Sequence, residues 1–420
     1  MNKKTASFTV GRFLAIRELK RSNPWTTLLI IFVMSLTFLN MVLIGGLLLG
    51  LAQGMIGSFK QYYSSDLFIT PSPEKLIIEQ TNDIVSAVET IPTLEGYTLR
   101  TTSPAKIEYG HRQKTDPSDI VENTQALLTG VNFSDENKVT DLSKKVIEGE
   151  YLSNNDFNAV LVGKNLFEKY SNRPDSSTDQ KFKSAQVGSV VNIVVGKTQK
   201  EFIIKGIVGT GNNAIDSRVF MADAAIREMK NQDSLNVNEI AIKLNSKGLD
   251  EDARIYLQNL IGTNKNIIIQ TAEEAVPGSS ADITKTFRLL GYLVGVIALV
   301  VGAITIFIVI FVNAITRRKY IGILKGIGIS ASAIEISYVI QSLFYALSGV
   351  LFASLFILGF LKPYLNIHPL VLPIAEGRLA VTVNDILTRG IILIVTSLIS
   401  GFIPARLVTK QNTLDSILGR

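Results

Sequence analysis

Four long apolar blocks stand out along the chain, set apart from a region in which short apolar runs alternate with polar turns. The first, Trp25 to Ala52, contains no charged residue, and about 20 apolar residues in a helix already cross the ~30 Å of bilayer hydrocarbon. It exceeds the ~7 to 15 residue core of a secretory signal and no A-x-A cleavage site follows, so it is expected to be retained as a span. Leu289 to Ile315, Ser337 to Leu361 and Ile386 to Ala405 are each long enough to be further spans. Arg389 lies near the start of the last block. A cation costs ~2.5 to 3.5 kcal/mol at a bilayer centre but much less near the surface, where its stem reaches water, so the fourth core is expected between Gly390 and Phe402.

Between Lys60 and Lys285 the pattern is that of a soluble α+β domain. Strands are expected at Asp66 to Ile69, Thr98 to Tyr109, Gln125 to Val131, Ala159 to Val162, Val190 to Val195, Phe202 to Val208, Ile240 to Leu244 and Ile267 to Ile269. Helical periodicity marks Leu76 to Ile91, Asn165 to Tyr170, Ala222 to Lys230 and Leu249 to Ile261. The mixed order favours a compact sandwich of sheet and helices over a repeat array, with Asn172 to Lys183 a polar, mobile loop. Two stretches imitate nucleotide-binding motifs. Gly196-Lys197-Thr198 ends like a phosphate loop, but the first glycine of that motif would fall at Val191, and the triplet separates two strands, as a hairpin turn does. Gly209-Thr210-Gly211-Asn212-Asn213-Ala214 copies a dinucleotide fingerprint, yet a strand at Ser217 to Met221 follows where a helix is required, so it too reads as a loop.

Charge fixes the expected orientation. The net charge of +6 comes with no basic stripe carrying interleaved aromatics, so nucleic acid is not an expected partner. Lys3, Lys4, Arg12, Arg17, Lys20 and Arg21 precede the first block, and Arg317, Arg318, Lys319 and Lys325 follow the second. The positive-inside rule then puts both termini and the loop 316–336 in the cytoplasm and residues 60–285 outside. The chain contains no cysteine, and its only histidines, His111 and His368, sit in no metal-binding spacing, so no cofactor, metal or catalytic residue is expected. The fold class expected is membrane α-helical, with four transmembrane helices and a large extracytoplasmic α+β domain inserted between helices 1 and 2. Its parts are an amphipathic pre-membrane helix at 1–24, spans at 25–52, 286–315, 337–361 and 386–405, and a cytoplasmic tail at 406–420.

Three segments give this architecture a family resemblance. Arg317-Arg318-Lys319-Tyr320-Ile321-Gly322-Ile323-Leu324-Lys325-Gly326-Ile327-Gly328 resembles the R-R-x-E-I-G-I-L-[RK]-A-I-G segment of the FtsX-like and MacB-like ABC transporter permeases. Ala15 to Arg21 is similar to their pre-membrane helix, and Ile403-Pro404-Ala405-Arg406 with Leu414-Asp415-Ser416-Ile417-Leu418 to their closing P-A-R…P-x-E-A-L. In the external domain Ala159-Val160-Leu161-Val162-Gly163, Val187-Gly188-Ser189 and Phe202 to Val208 look like the V-L-I-G, V-G-D and F-x-V-x-G-I of the same family. Tyr320 stands where glutamate is usual and Thr413 where proline is common, and Asn23-Pro24-Trp25 replaces a more basic approach to the first span.

The resemblance implies a permease subunit that pairs as a homodimer or heterodimer, docks on a separate ABC ATPase in the inner membrane, and contacts membrane lipids and a periplasmic adaptor. It would transmit ATP-driven movement to the external domain for export or extraction of a lipid, lipoprotein, peptide or drug. The ATPase-coupling residues would be Arg317, Arg318, Tyr320, Ile321, Gly322, Ile323, Leu324, Lys325, Gly326, Ile327 and Gly328. Ile321, Ile323, Leu324, Ile327 and Ile329 would form one apolar face seated in the ATPase, and the second span would carry movement outward. Few polar groups line the middle spans, where Gln341 and Asn313 stand out, and Gln341 suits an interhelical hydrogen bond. A non-transporting transducer that activates a cell-wall hydrolase is the alternative within this architecture. A membrane-anchored enzyme lacks a G-x-S-x-G, metal cluster or histidine constellation to support it.

Overall fold

The computed structural model describes residues 3–110, 121–170, 181–245, 248–261, 266–276, 280–368, 370–371 and 376–410. The expected mobile loop at 172–183 lies mostly, and the closing motif at 414–418 wholly, outside them. The chain divides into two compact units: 1–50 with 285–370 and 378–420, and 51–284 with 371–377. Among the described residues four helices are long and apolar enough to cross a membrane.

The chain opens on α1 (Lys3–Arg21), which Ser22 and Asn23 separate from α2 (Pro24–Phe59). Proline fits the first turn of α2 because no intrahelical bond is asked of its nitrogen. The Asn23 side chain accepts from the Trp25 amide (3.0 Å). Helix α2 runs past the expected end of the first span and closes in a π turn at Lys60–Ser64, followed by Ser65 at φ 57°.

In the unit beginning at Leu51, the strands are β1 (Leu67–Pro71), β2 (Leu94–Tyr109), β3 (Glu122–Val131), β4 (Val146–Gly149), β5 (Ala159–Gly163), β6 (Val190–Val195), β7 (Thr198–Val208), β8 (Arg218–Ala222), β9 (Glu239–Leu244) and β10 (Ile267–Thr271). The helices are α3 (Thr81–Glu89), α4 (Phe133–Val139), α5 (Asn213–Asp216), α6 (Asp223–Lys230), α7 (Asp250–Ile261) and α8 (Ala272–Ala275). Pairing runs β2 to β3, β3 to β8, β8 to β5, β5 to β7, β7 to β6 and β6 back to β2, so six strands close a ring. Leu128, Leu161, Ile193, Phe202 and Phe220 belong to the core beneath it. Closure leaves these strands no open edge within the ring. The first half of β2 belongs to a second lobe with strand order β10-β1-β9-β2, each neighbour antiparallel. Together with α3 and α7 this is a split β-α-β arrangement with the ring inserted between its second and third strands, and it has a core of its own around Ile69, Ile84, Val88, Ile240 and Leu257.

Pro104 marks the hand-over. On one side β2 pairs with β9 as far as Arg100 and with β6 only from Lys106, so the missing proline N–H falls where no ladder bond is required on that side. The Thr102 amide in this gap bonds the Asn238 side chain instead (2.8 Å).

Several expectations are corrected here. The domain is a ring plus a split lobe, not a sandwich, because β2 and β6 meet across a long sequence separation that local pattern does not encode. The helix expected at 76–91 is limited to α3, since the Ile78 backbone bridges to Val237 and Gln80 adopts φ 55°. Asn165 to Tyr170 forms two short 3₁₀ turns interrupted where Phe167 bridges to Phe182. Helix α4 and strand β4 were not anticipated; both are short, with most of β4 exposed.

The membrane unit adds α9 (Ser280–Thr316), α10 (Arg318–Gly326), α11 (Ala331–Phe356), α12 (Lys362–Ile367) and α13 (Val383–Thr409). A π turn at Ile357–Leu361 joins α11 to α12. Helices α11 and α13 start before the expected spans because each has a cap: the Ser330 hydroxyl accepts from the Ala333 amide, and Thr382 and Asp385 form a capping box. Small residues bring the backbones together. A Cβ on Gly349 would stand 2.6 Å from Met34 Cβ, and one on Gly401 2.5 Å from the Ser342 hydroxyl. The extended segment Arg378 to Val381 lies across Gly46 and Gly50 of α2, with the Ala380 amide donating to the Gly46 carbonyl (3.1 Å). Arg389 is half-buried and, instead of reaching outward, donates to the Met41 carbonyl of α2 above Gly45. The cation is accommodated inside the bundle because Gly45 has no side chain.

Candidate coupling site

Helix α10 follows α9 after one residue, Arg317, and stops where Gly328 adopts φ 94°, a conformation that favours glycine. Its apolar residues do not form one outward face. Ile321 and Leu324 are 3% and 9% exposed and belong to the core of the membrane unit, and Gly322 is buried beside them. Tyr320, Ile323 and Ile327 are 52%, 47% and 72% exposed. At spacings of three and four residues these make a separate stripe on one helical face. Gly326 and Gly328 adjoin it, with open space where a Cβ would stand. The expected five-residue docking face is therefore corrected: Ile321 and Leu324 hold α10 to its own bundle, and Ile329 is half-buried against the same core.

An ion pair at one end and a hydrogen bond at the other fix α10. Arg317 pairs with Glu18 of α1 (3.4 Å), and Gln341 of α11 donates to the same carboxylate. The expected interhelical role of Gln341 is thus observed, with a partner the sequence pattern did not single out. Burial raises the Glu18 pKa, and the Arg317 charge and Gln341 oppose that rise. At the other end Lys325 donates to the Thr409 carbonyl (3.0 Å), and the Thr409 hydroxyl donates to Glu335 of α11 (2.9 Å). Pro404 and Ala405 are buried in α13, while Arg406 lies over the Phe402 ring at 5.7 Å. Arg318 opens α10, and Lys319 is exposed.

A second constellation lies in the external domain, where α2 ends. Ile56, Phe59 and Tyr63 pack in the ring's core. Arg100, fully buried, donates to the Tyr63 carbonyl (2.7 Å) and pairs with Glu136 (2.7 Å), which is equally buried. Its guanidinium lies 4.0 Å from the Tyr63 ring centre and that of Arg218 4.4 Å from it. Arg218 donates to the Tyr63 hydroxyl (2.5 Å), which in turn donates to Glu239. Glu136 could have been noticed in the sequence: it shares a face with Phe133 and Val139, spaced by three, where an apolar residue is expected. A carboxylate there demands a cation.

Both motif imitations are structural. Gly196 and Lys197 form the turn between β6 and β7, Gly196 at φ 59°. In the Gly209 to Ala214 loop the buried Asp216 carboxylate accepts from the Thr210 amide and hydroxyl (both 2.7 Å) and from the Gly211 amide (2.9 Å). Those donors are therefore engaged by the chain itself. Asn212 caps α5 and donates to the Met55 carbonyl and the Ser58 hydroxyl of α2, both at 3.0 Å.

Comparison with known proteins places these features. The FtsX-like permease C-terminal family matches residues 292–413, which contain α10 and α11 whole. An uncharacterised ABC transporter permease of Methanocaldococcus jannaschii is 25% identical over 289 residues, 66% of this chain and 67% of that one. The probable export ATP-binding/permease protein MacB of Pseudomonas entomophila is 24% identical over 240 residues, 55% of this chain and 33% of that one, so the match spans about a third of that relative's length. Among solved structures, the extracellular domain of the ABC-type transporter YknZ from Gram-positive bacteria aligns over 49% of this chain and 98% of its own at 15% identity and TM-score 0.32. The periplasmic region of MacB from Actinobacillus actinomycetemcomitans aligns over 55% of this chain and 95% of its own at 14% identity and TM-score 0.35. Residues 292–413 match the FtsX-like permease C-terminal family, and the chain is similar over about two thirds of its length to an ABC transporter permease.

Proposed function

We propose that this permease works with a separate ABC ATPase and passes ATP-driven movement to its external domain, with α10 as the element that meets the ATPase. The observation that carries this reading is the outward stripe Tyr320, Ile323 and Ile327 on a helix whose opposite face is locked into the membrane unit. An exposed apolar stripe on a short, fixed helix suits a groove of a partner protein, and a helix held at both ends by Glu18 and Thr409 passes a push to α1, α11 and α13. The basic clusters support a reading in which this face is cytoplasmic and residues 60–285 lie outside. Movement would leave through α2, whose last turns are built into the ring core, rather than through the second span alone. The few polar groups in the spans support transmission to an external domain over a hydrophilic tunnel. A paired permease, an adaptor and export or extraction of a lipid, lipoprotein, peptide or drug complete the reading.

Copurification tests it. An ABC ATPase coexpressed with this chain should be retained by the wild type and lost from an Ile323→Asp, Ile327→Asp variant that still extracts and migrates as a folded membrane protein. Equal retention by both would remove α10 as the docking element.

A further inference from the structure

Helix α1 has two unlike faces. One is packed on α11 so closely that a Cβ on Gly11 would stand 2.7 Å from the Ala333 carbonyl, and Ala15 beside it is fully buried. Half a turn away, Phe13 and Ile16 are 60% and 47% exposed. Arg12 and Arg17 flank them, Lys20 and Arg21 follow toward α2, and all four are exposed. The single carboxylate of α1, Glu18, is turned inward to Arg317 and Gln341. The outward face therefore carries cations and aromatic or branched apolar groups with no acid of its own. Among the described residues no carboxylate forms an ion pair with Arg12, Arg17, Lys20 or Arg21.

The position of this face limits what can meet it. Only Ser22 and Asn23 separate α1 from α2, so the basic end of α1 stays at the depth where the first span begins. Trp25, in the first turn of α2, is 76% exposed there, and exposed tryptophan at a span end sits at the level of lipid headgroups. A helix at that depth buries Phe and Ile a few ångströms into the acyl boundary while its guanidinium and ammonium groups meet headgroup phosphates.

We propose that the outer face of α1 is a docking surface for anionic phospholipid, gathered by Arg12, Arg17, Lys20 and Arg21. Guanidinium groups bind phosphate through paired N–H donors, whereas a zwitterionic headgroup presents a compensating cation. The surface is separate from the stripe on α10, and the inference does not depend on an ATPase partner or on which side of the membrane α1 lies.

Trp25 is the only tryptophan of the chain and supplies the probe. The full chain is placed in nanodiscs of fixed phosphatidylglycerol and phosphatidylcholine content, with bromine carried on one lipid or the other at equal amounts. Since each cation near an anionic surface favours it several-fold, quenching by brominated phosphatidylglycerol should exceed that by brominated phosphatidylcholine by about twofold or more. The excess should shrink at high salt and vanish in R12Q/R17Q/K20Q/R21Q, or diminish in R12Q/R17Q if the fourfold variant does not insert. Equal quenching by the two lipids in the wild type overturns the proposal. Equal quenching together with protection of a Phe13→Cys label by the ATPase would assign the face to protein.

Discussion

Arg100 and Glu136 show how one residue pair can hold an element in place. Both are fully buried, and Arg100 reaches from the sheet to the last turn of the helix that enters the domain. Burying such a pair adds little net stability, but removing one partner leaves a charge without compensation and costs ~3 to 5 kcal/mol. Glu136→Ala should therefore lower the stability of the external domain, read from its denaturant midpoint, strongly, whereas Glu148→Ala, whose Lys169 pair is about 40% exposed on each side, should change the stability by less than about 1 kcal/mol. Comparable midpoints for the two variants would remove the anchoring role of the buried pair. Gly50 offers an independent case in the membrane unit. A Cβ there would stand 1.6 Å from the Arg378 carbonyl, so Gly50→Ala should displace the strap Arg378 to Val381 and expose the Ala380 amide, which hydrogen exchange detects. Unchanged protection of that amide would contradict the close approach.

At the scale of elements, α10 follows its helical period. Ile321 and Ile323 have equal hydrophobic character but lie about 200° apart on a helix, so one face cannot hold both, and the expectation of a single apolar face overlooked the spacing. Packing follows the same division: Ile321 and Leu324 turn toward the bundle, and Ile323 and Ile327 stay outside. A consequence is that Leu324→Asp should lower the yield of folded membrane protein, while Ile327→Asp should leave yield unchanged and affect only partner binding. Equal yields would place Leu324 at the surface instead. The spans and most strands were legible because an uncharged block, or a strict alternation such as Ser103, Ala105 and Ile107 inward against Pro104 and Lys106 outward, has one reading. Ring closure was not legible, since no local signal states that β2 pairs with β6. The two nucleotide-motif imitations were legible as loops because their flanking strands excluded the helix that binding requires. Asn212 was missed, as its partners Met55 and Ser58 lie far away in the chain. The external unit begins at Leu51, before the sequence-based boundary at residue 60, because Ile56 and Phe59 fill the ring core. Loss of a buried phenylalanine costs ~3 to 5 kcal/mol, so a fragment of residues 51–284 should melt at higher temperature than one of 60–285. Equal melting temperatures would show the helix end to be dispensable.

For the whole molecule, the proposed function requires that ATP hydrolysis in a partner moves the external domain. The chain suits a spectroscopic test because it contains no cysteine. Ser86 is exposed on α3 of the external domain, and a spin label at Ser86→Cys reports the distance between two copies in a permease pair. In a reconstituted complex shown to hydrolyse ATP, the inter-copy distance distribution measured by electron–electron resonance should differ between nucleotide-free and vanadate-trapped states. Distributions that coincide in the two states, with hydrolysis intact, would contradict the transmission of movement to the external domain.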